Sequence, residues 1–336
     1  MSGLSSDGQI NGKIDNTVYD DRKASISDFL NKSYFPDDIK IKKTPEGIEI
    51  EEYIRGRDIK DNDRSMCPQK IRIPDSIDGI TVTSIGEFAF SEHRELIQVK
   101  IGAGVRKIGQ HAFYNCRNLI RIELTDNVTE IFDGAFKNCY KLKEILIDKL
   151  NDNSKCLKGI LSEVNNEVTV SLKYADGQAK LVFPYYILNY EENTPARIIN
   201  QVTEGSGVQY RECVAGKDVD YQKYDRLFEL ARYIDLNESA YAIAYNRIRY
   251  PYKLMDKYRK EYTDYIKENR FSLIMRLAEK ENFKDLKGLL ALDIFSKEDL
   301  YKSCEQLRQG KYMESLLIVL DYQKEKYGTE KKKFEF

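Results

Sequence analysis

The chain has 336 residues, of which 41% are hydrophobic and 32% charged, and 54 basic against 55 acidic residues leave a formal net charge of -1. This length predicts about two domains with enough material for a buried core, and the balanced charge does not favour a dominant nucleic-acid surface. No apolar run reaches the roughly 18 to 20 residues of a membrane helix, and the opening lacks the basic and apolar segments of a signal peptide. We therefore expect a cytoplasmic protein without a membrane span, or an exported or cell-surface one if a signal peptide has been removed.

The N-terminal part of the sequence predicts a tail and then a hairpin. Residues 1–24 are rich in Ser, Gly, Asp and Asn and have almost no aromatic content, which is typical of a disordered segment. Residues 39–54 alternate apolar and polar residues around Pro45-Glu46-Gly47, as two paired strands do. We predict that this hairpin closes the N-terminal end of the domain that follows.

The middle of the chain repeats with a period of 23 residues. Each unit has one apolar side that it cannot bury alone, so stacked units form a continuous core. Apolar and polar residues alternate at the end of each unit, which predicts one strand per repeat. The strands of successive repeats then form a parallel sheet. Columns that agree over three copies include Val82, Val105 and Val128; Ile85, Ile108 and Ile131; Phe90, Phe113 and Phe136; and Leu96, Leu119 and Leu142.

The segments VTSIGEFAF (82–90), VRKIGQHAFYNCRNLIRIEL (105–124) and VTEIFDGAFKNCYKLKEILI (128–147) carry the repeat. They resemble the BspA-type, or treponemal, class of leucine-rich repeat. The resemblance implies a solenoid of about three repeats, which we place with its cap at residues 25–155. It also implies a binding role, since the class includes cell-surface binding proteins.

The outward-facing residues of the predicted strands form the first candidate binding surface. Neighbouring strands would place Arg121 beside Glu144 and Lys100 beside Glu123, which are opposite charges across a ladder. These residues either only neutralise one another or form a small mixed-charge docking strip for a protein. The candidate residues are Gln98, Lys100, Arg121, Glu123, Glu144 and Leu146.

Beyond the repeats, residues 156–217 predict a β-rich connector. The segments VTVSLKY, AKLVFPYYIL and GVQYRECV are interpreted as short strands, and the connector is expected to cover the open sheet edge after Ile147. Residues 218–328 have helical spacing and predict seven short helices stacked as antiparallel hairpins. One of these helices is expected to begin with a capping box at Ser296 and Asp299. Residues 329–336 form a second tail.

The predicted fold is thus α/β: a leucine-rich-repeat solenoid with a hairpin cap, then a β-rich connector and an all-α helical-hairpin domain. The helical domain resembles those of uncharacterised bacterial repeat proteins, a likeness that names no activity. Three of its leucine pairs share a shift that is distantly similar to ankyrin-type pairing. These pairs, 30 residues apart, are Leu277/Leu307, Leu286/Leu316 and Leu290/Leu320.

The segment YNRIRYPYKLMDKYRKEY (245–262) is the second candidate surface. It interleaves basic residues with tyrosines, as single-stranded nucleic-acid sites do. Its lysines and apolar residues nevertheless fall on different helical faces, as in an ordinary amphipathic helix, and the region after residue 218 is not basic overall. We expect a solvated face or a protein docking site and do not favour nucleic acid or lipid. The candidate residues are Arg247, Arg249, Lys253, Lys257 and Lys260.

The sequence predicts no catalytic constellation and no cofactor. His93 and His111 are explained by their repeat positions, and Cys116 and Cys139 share one repeat column, where we expect buried thiols rather than a reactive or bridged pair. No metal, redox or phosphate-binding motif occurs. We interpret the chain as a non-enzymatic protein-interaction scaffold. The alternatives are a cell-surface adhesin, and an enzyme or sensor with a site between the solenoid and the helices.

Overall fold

The computed structural model describes residues 39–54, 69–193, 198–235 and 238–328. The predicted tails at 1–24 and 329–336 lie outside these ranges. The strands in chain order are β1 (Ile39–Thr44), β2 (Gly47–Tyr53), β3 (Lys70–Arg72), β4 (Ser76–Ile77), β5 (Ile80–Ile85), β6 (Gln98–Lys100), β7 (Lys107–Ile108), β8 (Arg121–Thr125), β9 (Glu130–Ile131), β10 (Glu144–Asp148), β11 (Val168–Lys173), β12 (Gln178–Phe183), β13 (Ile187–Asn193) and β14 (Ile198–Glu204).

These strands form two larger sheets and one separate hairpin. Sheet 1 has the order β1-β2-β5-β7-β9, with β4 paired to β5, and sheet 2 has the order β12-β11-β10-β8-β6-β3. From β2 to β9 and from β3 to β11 the successive strands are parallel. Each repeat therefore contributes a strand to both sheets, which corrects the sequence-based expectation of one strand per repeat. β13 pairs only with β14 among the described strands.

The 23-residue period is the register of sheet 2. Val99 pairs with Ile122 and Ile122 with Ile145. Two further strands join the same sheet with different spacings, since Ile71 pairs with Val99 and Ile145 with Val170. The solenoid accordingly has about four turns rather than three, and its outer turns escape a search for a constant period.

A ladder of aromatic rings runs through the core of the solenoid. The rings of Phe90, Phe113 and Phe136 stack almost parallel at centroid distances of 5.1 and 5.3 Å, and all three are fully buried. Tyr53 of β2 continues the ladder at 5.6 Å from Phe90. The β1–β2 hairpin thus closes the N-terminal end of the stack, as the sequence predicted, because it supplies both a parallel strand and the next ring.

The region after the third repeat begins with a helix that the sequence analysis did not predict, α1 (Lys155–Glu163). β11 then pairs with β10 and covers its edge, which confirms the predicted role of the connector. The strand predicted for GVQYRECV is wrong, since this segment contains α2 (Gly207–Arg211). Tertiary contacts decide its conformation: the Arg211 guanidinium donates hydrogen bonds to carbonyl oxygens of Leu161, Val164 and Asn166 at the end of α1.

The C-terminal region is helical, as predicted. Its helices are α3 (Tyr221–Arg226), α4 (Phe228–Ile234), α5 (Glu238–Arg249), α6 (Asp256–Glu268), α7 (Arg270–Glu279), α8 (Phe283–Leu290), α9 (Lys297–Gln309) and α10 (Met313–Tyr327). The first predicted helix is divided at Leu227. The capping box at Ser296 and Asp299 is present at the start of α9.

The last two helical hairpins have matching turns. Glu281 between α7 and α8 and Lys311 between α9 and α10 both have a positive φ, of 51° and 61°. In each turn a backbone N–H reaches back to a leucine carbonyl, from Asn282 to Leu277 and from Tyr312 to Leu307. The 30-residue shift in the sequence thus corresponds to two hairpins with the same turn geometry.

The helical region covers the last edge of sheet 2. The fully buried Tyr224 hydroxyl accepts a hydrogen bond from the Val182 N–H at 2.8 Å and donates one to the Val182 carbonyl at 2.7 Å. Farther along β12, Ala179 forms a bridge with Pro251. The Tyr224 side chain and Pro251 thus take the place of a further strand. This leaves less of the edge open for pairing with another chain.

The change Tyr224→Phe tests this edge contact. It keeps the ring but leaves both Val182 backbone groups without their partner, and buried unsatisfied groups of this kind cost about 2 to 4 kcal/mol together. We expect the urea unfolding midpoint to fall accordingly, measured by far-UV circular dichroism. Tyr233→Phe, at a tyrosine that is 83% exposed, is the matched control. Equal midpoints for the two variants would contradict the assignment.

Candidate functional site

The first candidate surface lies on the outer face of sheet 2, and its charges contact one another as predicted. The Arg121 guanidinium lies 2.8 Å from a Glu123 carboxylate oxygen and 3.2 Å from one of Glu144. Lys100 approaches Glu123 at 3.6 Å, and the Gln98 amide donates to Glu123 at 2.9 Å. The strip is therefore a network held together by Glu123.

The network leaves the strip partly exposed. All six residues predicted there, from Gln98 to Leu146, are half-buried or exposed. Leu146 pairs with Ser171 of β11, so the same face continues for one more strand beyond the repeats. The observed contacts explain the charge pattern without a partner, and a docking role for these residues stays a prediction.

The second candidate surface is corrected at Arg247. This side chain is fully buried and makes a bidentate pair with Asp225, with Nε–Oδ1 and Nη2–Oδ2 distances of 2.7 and 2.9 Å. The Tyr262 hydroxyl also donates to Asp225. Burial alone would lower the pKa of Arg247, but the hydrogen bonds and charge of Asp225 outweigh burial and raise it. Arg247 is therefore structural and is not available to a partner.

The other four candidate residues, Arg249, Lys253, Lys257 and Lys260, are exposed, and their nearest groups differ. Lys253 pairs with Asp218 at 3.0 Å, and the Arg249 guanidinium donates a hydrogen bond to the Tyr245 hydroxyl. Lys257 lies 4.0 Å from Glu261, and Lys260 is exposed on the same helix, α6. The segment thus presents separate cations rather than one basic face.

The tyrosines around this segment join the helices to the solenoid. The rings of Tyr174, which follows β11, and Tyr252 stack at 4.1 Å. The Tyr174 hydroxyl donates to Asp218 at 2.8 Å and lies 2.8 Å from the Tyr221 hydroxyl. This junction is filled by aromatic rings, so the alternative of an enzyme or sensor site placed there gains no support from its geometry.

One column of the repeat has a shared chemical role. The Cys116 thiol donates to the Phe90 carbonyl at 3.0 Å, and the Cys139 thiol donates to the Phe113 carbonyl at 3.2 Å. His93 holds the same column position, and its Nε2 lies 3.0 Å from the Tyr53 carbonyl. Each residue thus places a polar hydrogen on a carbonyl of the preceding turn. Both cysteines are free and buried.

Burial makes these thiols poor nucleophiles. It raises the pKa of Cys139 from 9.0 to about 12, and it raises that of Cys116 well above the ordinary value, with a further contribution from Cys139. The thiolate is the reactive form of cysteine. The structural interpretation of the pair made from the sequence therefore agrees with the geometry.

A cleft of about 370 Å³ lies beside the last repeat turn. Its walls are residues 137–140 of that turn, the end of α1 at 163–166 and the start of β13 at 186–188. Tyr140, Ile187 and Leu188 are exposed large side chains on its rim. The volume is within the usual range for binding pockets. The sequence analysis did not identify this cleft.

Glu163 is a carboxylate that lines the cleft. Its carboxylate accepts a hydrogen bond from the Gly134 N–H at 2.8 Å. Desolvation by burial raises its pKa despite this hydrogen bond. Glu163 carries no sequence signal because it lies after the last 23-residue repeat. Asn138, in contrast, shares a repeat column with Asn115 and Glu92, which the period could have shown.

The cleft lies at the end of a ladder of backbone hydrogen bonds. In each earlier interface, alternate N–H groups of one turn donate to carbonyl oxygens of the next. The donors Phe88, Phe90 and Glu92 pair with Gln110, Ala112 and Tyr114, and the donors His111, Phe113 and Asn115 pair with Asp133, Ala135 and Lys137. The corresponding donors of the last turn are Gly134, Phe136 and Asn138. Glu163 accepts from the first, and no described residue accepts from the N–H of the other two.

Within the described ranges, no group of three or more His, Cys, Asp or Glu side chains could hold a metal ion. In the same part of the chain, no helix is both long and apolar enough to cross a membrane.

Comparison with known proteins identifies the repeats. Residues 65–164 match the BspA type leucine rich repeat region in six copies. The chain is similar to a leucine-rich repeat protein from T. pallidum, with 31% identity over 35% of this chain and 54% of that chain and a TM-score of 0.28. It is also similar to one from Bacteroides capillosus, with 28% identity over 33% and 78% of the two chains and a TM-score of 0.27. No curated protein matches.

Residues 65–164 are therefore a BspA-type leucine-rich repeat region, as the sequence resemblance implied. Such a region indicates a protein-interaction scaffold or a surface protein. The chain spans about half the length of the T. pallidum protein.

The buried pair predicts a large stability difference between two single changes. Asp225→Asn leaves the Arg247 charge buried without compensation, which costs about 3 to 5 kcal/mol. Lys253→Gln removes the exposed pair with Asp218 and should cost about 1 kcal/mol or less. Urea unfolding followed by circular dichroism measures both. Similar losses for the two variants would show that Arg247 is not held as described.

The buried thiols predict a pH dependence of stability. A pKa that is higher in the folded chain gives a stabilising contribution that is complete below the unfolded pKa, near 9.0 for Cys139, and is lost as the pH rises toward 12. Between about pH 8.5 and 10.5 the free energy of unfolding should therefore fall more steeply for the wild type than for Cys139→Ala, by up to about 1.4 kcal/mol per pH unit. Parallel pH profiles in urea unfolding would contradict the burial of this thiol.

Proposed function

We propose that this chain is a protein-interaction scaffold that binds its partner through the outer face of sheet 2. The observation that carries the proposal is the arrangement of this face: a partly exposed polar strip, from Gln98 to Leu146, on a sheet whose last edge is covered by Tyr224 and Pro251. Because the β12 edge is blocked, a partner of sheet 2 at this end contacts the exposed face of the sheet and not its edge. The cytoplasmic location expected from the sequence is part of the proposal.

The strip suits a partner with charges of both signs. Its cations and anions already hold one another in place through Glu123, so their side chains lose little conformational freedom when a partner binds. Such preorganisation lowers the cost of association. Complementary charges at an interface mainly provide specificity and a faster association rate.

A charge swap tests the strip. Arg121→Glu with Glu144→Arg keeps an opposite-charge contact between the two strands, but it inverts the pattern presented to a partner and replaces the Arg121–Glu123 attraction by a like-charge contact. We expect at least a tenfold loss of the specific protein recovered by affinity capture on the full chain, from the source cell's lysate and separately from its envelope fraction. The matched control swaps the exposed pair Glu298 and Lys302 on α9, 2.7 Å apart, and should change recovery less than twofold.

Equal recovery by the strip swap and the wild type would overturn the proposed binding face. Recovery only from the envelope fraction would favour the alternative, a surface adhesin of the BspA-like type.

A further inference from the structure

The helix α10 carries an apolar surface that its neighbours leave exposed. It packs against α8 and α9, and its Leu316 and Val319 are buried. Four other large side chains of α10 are 37 to 58% exposed. With 3.6 residues per turn, their positions fall within about 80° of one another around the helix, so they form one continuous surface. This α10 patch consists of Met313, Leu317, Leu320 and Tyr327.

The repeat within the helical region indicates which kind of element covers such a surface. Leu320 lies 30 residues after Leu290, which has the matching position on α8 in the other hairpin with the same turn geometry. Leu290 is 1% exposed, and α8 packs against α10 of the following hairpin. Within the fold, the helix with the equivalent position is thus covered by another helix. Contiguous exposed apolar surface of this kind marks an interaction site.

A row of carboxylates runs along one side of the α10 patch. Glu314, Asp321 and Glu325 are exposed, and their positions lie about 100° around the helix from the centre of the patch. None of the three forms an ion pair with a described residue. Lys324 lies between Leu320 and Tyr327 and offsets part of this charge. Acidic charge therefore predominates beside the patch.

We propose that the α10 patch binds an amphipathic helix of a protein partner. The apolar face of the partner helix lies against Leu317 and Leu320, and basic side chains on its flank lie opposite Glu314, Asp321 and Glu325. Binding of the apolar face of a helix to a hydrophobic surface is a known mode of recognition. The proposal rests on the scaffold function and adds a second contact surface to it, separate from the strip on sheet 2.

The charges select among apolar occupants. Opposite charges beside an apolar contact add specificity and speed association, whereas like charges oppose it, so the acidic row favours a basic flank. A second copy of this chain, docked with its α10 antiparallel to the first, would place two acidic rows on the same side of the contact. Anionic lipids attract basic amphipathic helices and would be repelled by this row.

The dimensions of the α10 patch suit a partner helix of about four turns. The 15 residues of α10 span about 22 Å, and the patch runs from Met313 at the first residue to Tyr327 at the last. The Tyr327 hydroxyl donates to the Phe295 carbonyl at 3.3 Å, which holds the ring at the end of the patch. A rigid helix that already presents these side chains reduces the cost of association.

The test uses the full chain and a displayed library of 18-residue helical peptides. The peptides have leucine at heptad positions a and d, and Lys, Glu or Gln at the flanking positions e and g. We expect selection to enrich lysine over glutamate at the flanks. The tightest selected peptide, made synthetically, should bind Leu317→Gln at least tenfold more weakly than the wild type, measured by fluorescence anisotropy.

Two further variants complete the test. Leu150→Gln is the matched control, because Leu150 is exposed to nearly the same extent as Leu317, at 60% and 58%, and it should bind the peptide like the wild type. Glu314→Gln, Asp321→Asn and Glu325→Gln combined should weaken binding of the lysine-flanked peptide at least fivefold. This loss should shrink at 1 M salt, which screens exposed charges.

Three outcomes would overturn the proposal: selection shows no preference for lysine at the flanks, the peptide binds Leu317→Gln and the wild type equally, or light scattering shows a dimer that Leu317→Gln converts to a monomer, which would make a second copy the occupant. The swap of Arg121 and Glu144 separates this proposal from the previous one. It should leave peptide binding unchanged, so a failure of the strip and a failure of the α10 patch give different results.

Discussion

Each turn of this solenoid depends on a neighbour that accepts its backbone N–H groups. The interior turns satisfy one another, whereas the two ends need substitutes that the repeat does not contain. At the N-terminal end the hairpin β1–β2 supplies a parallel strand and the Tyr53 ring. At the other end β11 and β12 extend sheet 2, and the Tyr224 hydroxyl replaces a further strand. The parts outside the repeat can therefore be understood as solutions to one hydrogen-bonding problem.

The repeat could be predicted because burial imposes the same requirement on every turn. Phe90, Phe113 and Phe136 recur since each ring must stack on the previous one, and their spacing equals the strand register. The outer turns could not be found in this way. Pairing requires that Ile71 and Val99 meet in register but leaves the length of the connection between them free. The helix α1 was also missed, because it follows the last repeat but does not carry the sequence pattern of a repeat.

The candidate sites also divide into contacts that the sequence could predict and features that it could not. The contacts of Arg121 with Glu144 and of Lys100 with Glu123 followed from strand order, and the structure confirms them. Arg247 was assigned wrongly because helical spacing cannot show a buried carboxylate 22 residues earlier in the chain. The cleft was beyond prediction for a further reason. Its walls come from the last repeat turn, the end of α1 and the start of β13, which only the folded chain brings together.

Tyrosine fits the junction between solenoid and helices better than phenylalanine would. Its ring fills apolar space, and its hydroxyl adds a hydrogen bond to a polar group of the fold. Tyr224 does this for the Val182 backbone, Tyr262 for Asp225, and Tyr174 for Asp218. The same side chain type thus closes the sheet edge, completes the buried ion pair and joins the last repeat strand to the helices. This need for a polar tip on a buried ring accounts for tyrosines at these positions.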